Sequence, residues 1–204
     1  MKQARFVTSG LLIALVVTGL LAGCGSSKPA SEQISAVYTQ GQEATAAKQW
    51  STACSLSTAA GIAQVIADFR KIFPDTPSGC EAALTWLDNA MTDYASGDPA
   101  TLCGRPEFEA GMAKRYAAAS SEAGCTDLLT RYPAGLTAVH ARGEKMKTRW
   151  DQNLAQRNTL TDVKVVGETA TGTVVPPAGA LSSKTYVTSF KKENGKWLID
   201  TYTR

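Results

Sequence analysis

The spacing of apolar and polar positions changes character twice along the chain. An apolar run from Phe6 to Ala22 comes first. From Ser31 the spacing is helical. Ser31 is placed to cap a helix from about Glu32 to Lys48, with Ile34, Val37 and Tyr38 on its apolar face. Trp50 and Cys54 then read as a turn. Ala59 to Phe73 is a second helix marked by Ile62, Val65, Ile66 and Phe69, ended by Pro74, Pro77 and Gly79. Cys80 to Ser96 is a third, with Leu84, Leu87 and Met91 on one side, stopped by Gly97-Asp98-Pro99. Pro106 opens another, marked by Phe108, Met112 and Tyr116. Leu136 to Asn158 is the last, with Val139, Met146, Trp150 and Leu154 in one stripe and Gly143 as its weak point.

From Thr161 the period becomes two. Val163, Val165, Ala170, Gly172 and Val174 alternate with polar residues on either side of a tight turn at Gly167-Glu168. A second hairpin turns at Asn194-Gly195, which sets Phe190 opposite Ile199 and Lys192 opposite Trp197. That register puts Tyr186, Phe190, Trp197 and Ile199 on one face and Val187, Leu198 and Tyr202 on the other. Helices first and an antiparallel sheet of about four strands last is an α+β layout.

The chain has five cysteines. A shift of about one helix-turn-helix unit lays Cys54 on Cys103, Thr52 on Thr101 and Ala46 on Ala95, and Gly79-Cys80 then matches Gly124-Cys125. This degenerate duplication favours the bridges Cys54–Cys80 and Cys103–Cys125, and so an oxidising compartment. A four-cysteine zinc site fits less well, because no C-x-x-C pair occurs. With a single histidine, His140, no histidine-rich metal site is expected, and no cofactor fingerprint appears.

The fifth cysteine ends the apolar run. Lys2 and Arg5 precede that run and small residues follow it, which is signal-peptide architecture. Leu21-Ala22-Gly23-Cys24 resembles the bacterial lipobox. The resemblance implies cleavage before Cys24, a diacylglyceryl thioether on its sulfur and an N-acyl group on its amine. Such lipid holds a domain at a membrane surface at about 0.8 kcal/mol per buried methylene. The expected location is therefore extracytoplasmic, on the outer face of the cell membrane. Losing Lys2 and Arg5 takes the net charge from +3 to +1, too little to argue for nucleic acid. The expected division is 1–23 leader, 24–31 anchor and tether, 32–79 helical unit and 80–204 α+β domain.

Ala-x-Gly-Asp-Pro-Ala-Thr-Leu-Cys at 95–103, Gly124-Cys125, the hairpin 163–174 and the segment 190–200 together resemble small secreted bacterial proteins with the nuclear transport factor 2-like fold. The resemblance covers about residues 80–204. It implies helices packed on a curved sheet, with a pocket in some members at the mouth of the cone, where Tyr186, Phe190, Trp197 and Ile199 are the candidate lining. Two functions follow as expectations. The first is a non-catalytic lipoprotein binding a small apolar ligand or an envelope protein partner. The alternative is an isomerase- or hydratase-type enzyme working through Asp162 or Asp200 beside Tyr186 or Tyr202, with one carboxylate desolvated.

Overall fold

The computed structural model describes residues 28–106, 108–109, 124–180 and 183–203. Cys24 and the leader lie outside them, as do Met112 and Tyr116 of the helix expected behind Pro106. The described helices are α1 (Ala30–Ala46), α2 (Trp50–Ser55), α3 (Ala59–Arg70), α4 (Cys80–Ser96), α5 (Pro99–Cys103), α6 (Cys125–Arg131) and α7 (Pro133–Ala155). The strands β1 (Thr159–Val166), β2 (Thr169–Val175), β3 (Tyr186–Glu193) and β4 (Lys196–Thr203) follow. They form one antiparallel sheet in the order β1-β2-β3-β4. The fold is α+β.

Two helix boundaries differ from the sequence reading. Ser31 does not cap α1. The N-cap is Pro29, whose carbonyl accepts from the N–H groups of Glu32 and Gln33, and whose ring presets the backbone angle for a chain entering a helix. Trp50 to Ser55 is a short helix and not a turn. Six residues make fewer than two turns, too few for a helical period to show.

The two halves share an order of elements where both are described. Helices α1 and α4 each span 17 residues, each is followed by a short helix, and each short helix carries a bridged cysteine. The bridges are Cys54–Cys80 and Cys103–Cys125, with Cα separations of 5.9 and 5.7 Å. Gly79 and Gly124 are both extended N-caps, so Cys80 and Cys125 each open a helix. Loops of this length contribute about 3 kcal/mol per bridge in the chain-entropy account.

Both hairpins turn where expected, and Phe190 pairs with Ile199 and Lys192 with Trp197. The pairing then slips between Thr188 and Phe190, so that Tyr202 lies opposite Thr188. One extra residue on β4 reverses the side on which everything beyond it points. Tyr202 therefore shares a face with Tyr186, their rings edge to face at 6.2 Å, instead of lying with Val187 and Leu198.

The face carrying Ala170, Val174, Phe190 and Trp197 packs on Ile34 and Tyr38 of α1, with Tyr186 and Ile199 at its margin. A second apolar cluster joins Leu102, Leu128 and Leu129 to Tyr94, Leu136 and Val139 at the other end of the helices. Each fully buried large side chain contributes about 1.5–3 kcal/mol. Helices α4 and α7 meet closely at Gly143, where a Cβ would stand 1.8 Å from the Tyr94 carbonyl oxygen. The glycine that weakens α7 as an isolated helix is what lets it approach α4.

Both sheet edges are partly closed by helices. Along β4, the N–H of Thr58 donates to Ile199 O and that of Ile199 to Leu56 O, each at 2.8 Å. The Gln64 amide then continues the ladder, donating to Tyr202 O at 2.8 Å and accepting from Tyr202 N at 2.9 Å. Gln42 does the same at the start of β1, donating to Asn158 O at 3.0 Å and accepting from Asn158 N at 2.6 Å. Two side chains thus stand in for strand backbone and satisfy groups an open edge would leave unpaired.

Candidate functional site

Of the four residues expected at a cone mouth, Phe190 and Trp197 are packed core, and Tyr186 and Ile199 are partly buried against it. Phe190 and Trp197 are 1% and 4% exposed, and Tyr38 meets Phe190 edge to face at 6.4 Å. This part of the sheet face is filled by side chains. Burial first, and then the neighbouring Tyr186 hydroxyl, push the Tyr38 phenol well above its ordinary pKa.

The carboxylates considered for acid chemistry are engaged or exposed. Asp162 is an exposed residue at a left-handed backbone position in β1. Asp200 accepts from Thr58 Oγ1 at 2.6 Å, and Thr58 in turn caps α3 by accepting from Gly61 N at 3.1 Å. A Cβ on Gly61 would fall 1.9 Å from the Asp200 carbonyl oxygen, so α3 rests directly on the β4 backbone. Tyr202 donates to Asp68 of α3. Asp200 and Tyr202 thus position a helix. His140 sits half-exposed on α7 with its ring over Gly97, its Nε2 3.7 Å from Glu144. No cluster of metal-ligating side chains occurs among the described residues.

The open space lies elsewhere. A cleft of about 250 Å³ runs between α3, α4 and the C-terminal half of α7, closed behind by the end of α1 and by α2. Its walls include Ile62, Val65, Ile66, Phe69, Leu84 and Trp150, and Cys80 of the first disulfide also reaches it. These are the apolar stripes read from the sequence, but periodicity alone gave no sign that three of them would face a gap. An engineered cavity of about 150 Å³ holds a benzene ring, so this cleft has room for a ring with a short chain, roughly ten carbons on the same scale.

Trp150 belongs both to the cleft and to a charged cluster above it. Its ring meets Phe69 edge to face at 6.0 Å. Its Nε1 donates to Asp88 Oδ1 at 3.0 Å, and Lys48 Nζ donates to the same oxygen at 2.7 Å. Lys147 pairs with Asp151 at 2.5 Å, and Lys48 lies 3.7 Å from Asp151. Burial alone would raise the Asp88 pKa. Hydrogen bonds from Lys48 and Trp150, with the charges of Lys48 and Lys147, outweigh it and hold the carboxyl below its ordinary value. A second charged arrangement is structural in form: Arg105, 9% exposed, donates twice to Asp93 Oδ2 at 2.8 and 2.6 Å and stacks on Trp86 at 5.2 Å.

Together these features define a disulfide-stapled α+β protein with a helix-lined apolar cleft. Comparison with known proteins finds no matching family model, no matching curated protein and no matching solved structure. No helix among the described residues is long and apolar enough to cross a membrane.

Proposed function

We propose that this chain is an extracytoplasmic lipoprotein, held at a membrane surface by lipid on Cys24, that binds a small apolar ligand in the cleft between α3, α4 and α7. The cleft carries this reading, since it is concave, lined almost wholly by apolar side chains, and about 250 Å³ in volume. The two disulfides support the oxidising compartment. The lipobox at Leu21-Ala22-Gly23-Cys24 and the resemblance to nuclear transport factor 2-like lipoproteins support the anchor and the binding role. In this reading the ligand sits between helices and not on the sheet, because α1 fills the sheet face.

The test is to express the full chain in a bacterial host, recover it from membranes, and measure intact mass and bound small molecules together. The expected protein lacks residues 1–23, carries acyl mass on Cys24, and co-purifies with an apolar compound that the Leu84→Trp variant does not retain. A leader-bearing protein in the soluble fraction would overturn the anchor. A ligand-free protein indistinguishable from Leu84→Trp would overturn the binding role.

A further inference from the structure

The cleft offers few polar groups, and each donor among them is already committed. Thr45 Oγ1 donates to the Gly41 carbonyl at 2.8 Å, one turn back on α1. Ser57 Oγ donates to the Ala53 carbonyl at 3.4 Å. Trp150 Nε1 donates out of the cleft to Asp88, whose charge is further held by Lys48. The remaining walls, Ile62, Val65, Ile66 and Phe69 on α3 with Ala83, Leu84 and Leu154 opposite, are hydrocarbon or backbone already paired within helices.

A buried acceptor with no donor keeps the full cost of leaving water. A hydroxyl on a ligand fares better, because the oxygens of Thr45 and Ser57 still have lone pairs to accept with. The cleft therefore discriminates by hydrogen-bond polarity as well as by size.

We infer that the ligand group taken by this cleft is a compact hydrocarbon, aromatic or branched aliphatic, that buries no carbonyl or carboxylate, and that Trp150 is the residue against which it packs. This inference rests on the cleft being the binding site. It excludes ligands that must place an acid or ketone inside, and it leaves any polar head outside, beyond the walls.

The experiment uses the full disulfide-bonded chain and four one-ring probes of similar size: p-xylene, p-cresol, 4-methylbenzaldehyde and 4-methylbenzoate. Binding is measured by calorimetry and by the shift of the Trp150 indole N–H resonance, assigned with Trp150→Phe. The expected order places p-xylene and p-cresol at least tenfold tighter than 4-methylbenzaldehyde, with 4-methylbenzoate weaker still. The shift should be confined to Trp150 among the four tryptophans. Equal affinity across the four probes, with the Trp150 shift present, would overturn the inference and leave the cleft as a binding site. Absence of any shift or heat with p-xylene would overturn both. The series needs no variant to fold except for assignment, and the unmodified protein alone gives the ranking.

Discussion

Replacing Gly143 by alanine tests the helix crossing on which the cleft depends. The added Cβ would stand 1.8 Å from Tyr94 O and 2.3 Å from Tyr94 C, and both are backbone atoms that cannot swing aside. Normal contact at about 3.5 Å requires α4 and α7 to part by more than an ångström. Forced overpacking costs about 1–3 kcal/mol, and a clash with rigid backbone belongs at the upper end. Against this, alanine is better than glycine in a helix interior by about 1 kcal/mol. The net expectation is a loss of about 2 kcal/mol, which for a protein of this size lowers Tm by about 4–8 °C. Thermal unfolding followed by far-UV circular dichroism measures it. The exposed neighbour Ala141→Gly supplies the propensity term separately. A Gly143→Ala protein as stable as the original, or more stable, would refute the close approach, because propensity alone predicts a gain.

Gln64→Ala removes the two hydrogen bonds that this amide makes to the Tyr202 backbone; at about 0.5–1.5 kcal/mol each, the loss should read as about 1–3 kcal/mol in denaturant unfolding, with faster amide exchange at Tyr202. Removing Cys54 and Cys80 together should cost about 3 kcal/mol and weaken p-xylene binding, since Cys80 reaches the cleft. Removing Cys103 and Cys125 should cost a similar amount and leave that binding unchanged. The depressed Asp88 carboxyl contributes stability that is present above its unfolded pKa and lost as pH falls through its folded pKa. Asp88→Asn should therefore flatten the acid limb of the stability profile below about pH 4, read from denaturant midpoints. Val65→Phe fills part of the gap with a ring, so it should raise the thermal midpoint by the equivalent of about 1–2 kcal/mol and weaken p-xylene binding in the same titration.

Local features of this fold are written in local sequence. Cys80 to Ser96 runs from an N-cap glycine to a left-handed Gly97, and its bounds are the ones its stripe and stop signals give. Asn194-Gly195 has both backbones at positive φ, the angles that turn requires, so the register of Phe190 and Lys192 follows from the dipeptide. Even the disulfide pairing is legible, because Cys54 and Cys103 fall at matching positions after a helix and Gly79-Cys80 matches Gly124-Cys125. What escapes is set by distant partners. The slip after Thr188 accompanies a bonded cluster of Ser189, Asp200 and Thr201, with Ser189 Oγ accepting from Thr201 N at 3.0 Å. Gln42 and Gln64 act on backbone 116 and 138 residues away. Neither has a local pattern to betray it. The cleft is harder still, because an apolar stripe facing a gap and one facing a neighbour share the same periodicity.

The gap persists because its walls are fastened at points outside it. Helix α3 is fixed to β4 by Thr58, Gly61 and Gln64, with Asp68 bonded to Tyr202 further along. Helices α4 and α7 are fixed to each other at Gly143 and Tyr94, and α2 is tied to α4 through Cys54–Cys80. The Gly61 and Gly143 approaches are to backbone, the disulfide is covalent, and the rest are hydrogen bonds made by side chains outside the cleft, so the spacing of helix axes is set apart from the side chains that line it. Collapse of α3 onto α4 would have to break the β4 edge pairing or reopen the α4–α7 crossing. At about 24 cal/mol per Å³, an empty space of 250 Å³ would cost at most about 6 kcal/mol, and entry of water lowers that figure. The same free energy is what an apolar ligand recovers on filling the space. A scaffold that resists collapse there is the physical condition for binding hydrocarbon in that position, and the anchors that impose it are the residues whose substitution separates stability from binding.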